Sequence, residues 1–96
     1  MHEVLHDIAK TSMDHVKDAQ MQYDYAIEAA EHGNHDIASL HLAEAKMHLD
    51  SARAWYDRGM KMLGDKVDPV ADMMIEHHRN WHRELADKVA KYKPGA

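Results

Sequence analysis

Residues 26–45 read Ala26-Ile27-Glu28-Ala29-Ala30-Glu31-His32-Gly33-Asn34-His35-Asp36-Ile37-Ala38-Ser39-Leu40-His41-Leu42-Ala43-Glu44-Ala45. Residues of high helix propensity stand on both sides of a single Gly-Asn pair, and nothing in the stretch alternates with period two. Glycine tolerates the left-handed backbone that ends a helix, so the segment reads as helix, tight turn, helix. Working outward, the remaining punctuation is Gly59, Gly64, Asp68-Pro69 and Pro94-Gly95. Three long segments lie between these marks, at about 3–32, 36–63 and 70–92, each dominated by Ala, Leu, Met, Glu, Lys and Gln. The expected fold is all-α: an antiparallel three-helix bundle forming a single domain over residues 1–96.

Helical periodicity sorts each segment into faces. In the first, Leu5, Ile8, Ser12, Val16, Ala19, Tyr23, Ala26, Ile27 and Ala30 share a stripe opposite Lys10, Asp14, Met21 and Glu28. In the second, Ala38, Leu42, Ala45, Leu49, Ala52, Tyr56 and Leu63 lie opposite Lys46, Asp50, Arg53 and Asp57, with His41 and His48 inside the apolar sector. In the third, Met74, Trp81, Leu85, Val89 and Tyr92 define the stripe, with His78 at its centre and His82 on its shoulder. Asp68-Pro69 supplies an acidic N-cap and a proline at the first helical position of that segment.

Composition narrows the function classes. Hydrophobic residues make up 45% and charged residues 30% of the 96, which suits a folded domain. The net charge of -5 comes from interspersed acidic and basic residues, so no basic stripe exists to meet a nucleic-acid backbone. The lack of cysteine removes disulfides, thiolate metal sites and thiol nucleophiles together. No apolar run has the length of a leader or of a membrane span, and the expectation is a cytoplasmic protein with no membrane partner. Alanine-rich stripes bury little area, while Met47, Trp55, Met60 and Met62 extend the apolar surface of the second helix; a homo-oligomer, trimer or dimer, is expected.

Asp18-Ala19-Gln20, Ala26 through Asn34, Ala38, Glu44-Ala45, Leu49 and Ala52 resemble the lactose/cellobiose-specific IIA components of the bacterial sugar phosphotransferase system. The likeness continues to Pro69 and the Met73-Met74 pair. It implies three long helices that trimerise, a phosphorylated histidine directly after the paired methionines, and an aspartate three residues later that contributes to a metal site on the trimer axis. Ile75 stands at the phosphoacceptor position here, and His78 at the aspartate's. Moving the acceptor to His77 or His78 puts Asn80 or Trp81 where the acid belongs. The resemblance therefore supports architecture and trimerisation and weakens the carrier role; three imidazoles of His78 converging on a threefold axis would still hold a metal.

Histidine carries the chemistry this chain has to offer. It has ten, and His41, His48, His78 and His82 fall where buried apolar side chains are expected. His78 and His82 are four apart on one helix, the spacing that lets two imidazoles chelate one ion, with Glu76, His77 or another helix as the source of a third ligand. His41, Glu44 and His48 place a carboxylate between two imidazoles over two turns, but the further Glu-x-x-His set of a di-iron bundle is absent. The expected metal ligands are thus His78, His82, His48, His41 and Glu44, and neutral imidazole suits zinc, nickel, copper or iron. No serine or threonine has the context of a nucleophile, and no glycine-rich loop cradles phosphate. The leading expectation is a non-enzymatic protein binding a transition metal at or near a subunit interface. The alternatives are a phosphoryl carrier acting through His77 or His78, and a structural or regulatory interaction module.

Overall fold

The computed structural model describes residues 2–93 and contains, among them, three α-helices and no strand: α1 His2–Glu31, α2 His35–Leu63 and α3 Pro69–Lys91. Each boundary lies within one residue of the expected one. Pro94-Gly95 fall outside the described residues. A 30-residue helix is about 45 Å long, which matches the 49 × 17 × 16 Å extents of the molecule and requires the helices to run side by side, up and down.

The first turn closes as its residues predict. Gly33 takes φ 79°, its N–H donates to the Ala30 carbonyl at 3.0 Å, and the Asn34 N–H donates to that of Ala29 at 2.8 Å. This nested pair satisfies carbonyls that the end of α1 would otherwise leave bare. At the start of α3, one carboxylate oxygen of Asp68 accepts from the Val70 and Ala71 N–H groups at 3.1 Å each, with Pro69 directly after it. The other oxygen accepts from His6 Nε2 at 3.1 Å, tying α1 to the cap of α3.

The core follows a heptad-like seam on every helix. Positions 5, 9, 12, 16, 19 and 26 of α1 are buried, as are 38, 42, 45, 49, 52, 59 and 63 of α2. Steps of three and four residues keep one face toward the partner helices, the packing of left-handed bundles. Alanine is the commonest seam residue on α1 and α2, so the two helices approach closely; a Cβ placed on Gly59 would lie 3.3 Å from Ile8 Cγ2.

The stripe of α3 differs from the expected one. Ala71, Ile75, His78, Leu85 and Val89 are buried, whereas Met74, Trp81 and Tyr92 are only half-buried. Packing turns the helix so that the 71–75–78–82–85–89 seam faces inward, because bulky Trp81 and Met74 fit the shoulders better than the narrow alanine-lined interior. Two consecutive seam positions, 78 and 82, are therefore histidines. Helix α3 rests on α1 more than on α2, leaving a furrow between α2 and α3. Ile37, Leu40 and Met47 stand exposed on α2. No helix among the described residues is long and apolar enough to cross a membrane.

Candidate metal centre

His15 sits beside the seam residue Val16 on α1, and His48 beside Leu49 on α2. Neighbouring seams bring these flanking positions together, and His15 Nδ1 faces His48 Nδ1 at 3.3 Å with the rings 5.6 Å apart. Asp18, one turn beyond His15, completes a group in which one ligand atom from each residue lies within 4.8 Å of the others. It is the one such group of three among the described residues. Both histidines are half-buried and Asp18 is exposed, so the imidazoles are held while the carboxylate is free to swing.

Two facing imidazole nitrogens share either one proton or one cation. For the proton, the two rings must adopt opposite tautomers, and 3.3 Å is a long N–H···N bond. For the cation, nitrogens about 2.0–2.1 Å from a tetrahedral ion stand about 3.3–3.4 Å apart, which is the separation present. Two imidazoles and one carboxylate leave a coordination position open to water or another ligand.

The residues expected from the sequence as ligands do not meet in one place. His41, on the same flank of α2 as His48, donates from Nδ1 to Gln22 Oε1 at 2.7 Å. Glu44 is exposed and makes no described contact with either histidine. His82 donates from Nε2 to the Leu49 carbonyl at 2.9 Å. His78 is 2% exposed, and neither of its ring nitrogens has a hydrogen-bond partner. Tyr56 of α2 stacks on it with ring centroids 4.8 Å apart and an interplanar angle of 13°. The His78 and His82 rings are 5.4 Å apart, as their spacing requires, but no third ligand joins them among the described residues. His77 is exposed beside Trp81. Of the expected set, His48 belongs to this group; His15 and Asp18 lie on the flank of α1, where helical periodicity does not single them out. A His-x-x-Asp pair on α1 was visible in the sequence, but its partner depended on the register of α1 against α2.

Burial pushes the His78 imidazole down from 6.5 to about 4, helped by neighbouring His82 and by Arg53, while the Ala52 carbonyl and Asp57 oppose the change. The ring is neutral near pH 7, and although the Ala52 carbonyl lies near it, neither ring nitrogen has an acceptor or donor at hydrogen-bond geometry.

Comparison of the chain with protein-family models, with curated protein sequences and with solved structures finds no match.

Proposed function

We propose that this chain is a metal-binding helical bundle, holding a transition-metal ion through His15 and Asp18 of α1 and His48 of α2. The observation that carries the reading is the opposed pair of Nδ1 atoms at 3.3 Å with a carboxylate in reach. Imidazole with one carboxylate is a ligand set for zinc, nickel, copper or iron, and a poor one for calcium or magnesium. An ion bound there clamps α1 to α2, so ligation adds to folding stability. The open position makes exchange with water or with a donor from a partner available to the bound ion.

The test is thermal melting of metal-free protein with added zinc or nickel, alongside direct metal analysis. One ion per chain and a rise in melting temperature are expected. His15→Ala or His48→Ala should abolish the rise, whereas His82→Ala should retain it. An undiminished shift in the His15 and His48 variants, or no shift in the parent, would overturn the proposal.

A further inference from the structure

The furrow between α2 and α3 encloses about 640 Å³, within the range of sites for small molecules. Arg53 of α2 and Arg79 and Arg83 of α3 line it, with His78, Tyr56 and His82. Three of the four arginines of a chain with net charge -5 thus face one cleft. Arg53 is paired with Asp57 at 3.2 Å, and Asp87, at the other end of the cleft, with Lys91 at 3.0 Å. Arg79 and Arg83 have no carboxylate at ion-pair distance among the described residues; Glu76 attracts Arg79 from a longer range, and Arg83 donates to Asn80 Oδ1 at 3.4 Å. Being four apart on one helix, they repel each other. Arg79 instead donates from Nε and Nη2 to the Tyr56 hydroxyl, at 3.3 and 3.1 Å, across the mouth of the furrow. Beneath that bridge lies the unpartnered imidazole of His78.

Two features here are unfavourable to the empty fold: like charges side by side, and a buried polar ring left unsatisfied. An oxyanion that reaches the buried ring once the Arg79–Tyr56 bridge opens relieves both. It accepts from guanidinium groups, whose planar forks match its oxygens, and from the neutral imidazole N–H. We propose that the α2–α3 furrow binds a small ligand through a phosphate group, held by Arg79 and Arg83 with Arg53 opposite and His78 as the floor. The site is separate from the His15, Asp18 and His48 group and does not depend on it.

The experiment is calorimetric titration and thermal melting with inorganic phosphate and with phenyl phosphate, against sodium chloride at equal ionic strength. Both phosphates should bind and raise the melting temperature where chloride does not. Tighter binding of the ester assigns an organic phosphate; equal binding assigns the inorganic ion. The Arg79→Gln/Arg83→Gln variant, altered only at exposed positions, should weaken binding at least about tenfold. Arg58→Gln, which removes one positive charge where Arg58 covers Trp55 outside the cleft, should leave binding intact. In His78→Leu the protein should stay folded and bind phosphate more weakly. Phosphate binding equal to that of chloride, or unchanged in the double arginine variant, would overturn the proposal.

Discussion

His78 is the residue on which the chemistry of the interior turns. It occupies a seam position, 2% exposed, and burial holds its imidazole near pKa 4 against 6.5 in the unfolded chain. Well above pH 6.5 both states are neutral and the residue contributes no pH dependence. As the pH falls from 6.5 toward 4 the unfolded chain takes up a proton that the folded ring refuses, so stability declines; below that it levels off. The loss from this residue should be about 2 kcal/mol at pH 5 and roughly 3 kcal/mol in full. Urea unfolding at pH 7 and pH 5 measures it: His78→Leu should lose correspondingly less than the parent protein. The same variant removes an unsatisfied buried group and should be at least as stable at pH 7. An equal loss in both proteins would show that His78 is not protected from protons. That His78 faces inward was readable from its spacing to Leu85. That it lacks a partner was not, because this depends on Ala52 and Tyr56, which reach it from another helix.

At the scale of elements, the helix ends follow from local chemistry and the rotation of α3 does not. Gly33, Asp68 and Pro69 act on groups within a few residues, so their roles stand in the sequence. Asp68 does more than cap, since it also accepts from His6 sixty-two positions away. Replacing it with alanine removes the acceptor for two backbone N–H groups and a bond between helices. Asp68→Ala should cost about 1–2 kcal/mol, measured by urea unfolding at neutral pH, with faster amide exchange concentrated in the first turn of α3. A cost of a few tenths would mean that water replaces the carboxylate adequately. The stripe of α3 was misjudged toward Met74, Trp81 and Tyr92 because hydrophobicity alone ranks residues, whereas packing also weighs their size.

Across the whole molecule, the helices are not equally secured. α1 and α2 share a close alanine-lined interface, while α3 leaves a furrow against α2 and contains the two seam histidines. Native-state hydrogen exchange should therefore find protection lower through the middle of α3 than in the centres of α1 and α2. Uniform protection would show that the bundle opens only as one unit. The two candidate sites follow the same asymmetry: the imidazoles and carboxylate span the tight α1–α2 interface, and the arginines line the loose one. By itself the sequence determined the three helices, their ends and the inward seams of α1 and α2, since propensity, capping and periodicity act between residues close along the chain. Only the tertiary structure decided that His15 faces His48, that His78 has no partner and that three arginines share a cleft. Those facts depend on helix register and rotation, which small differences in packing set and no local pattern encodes.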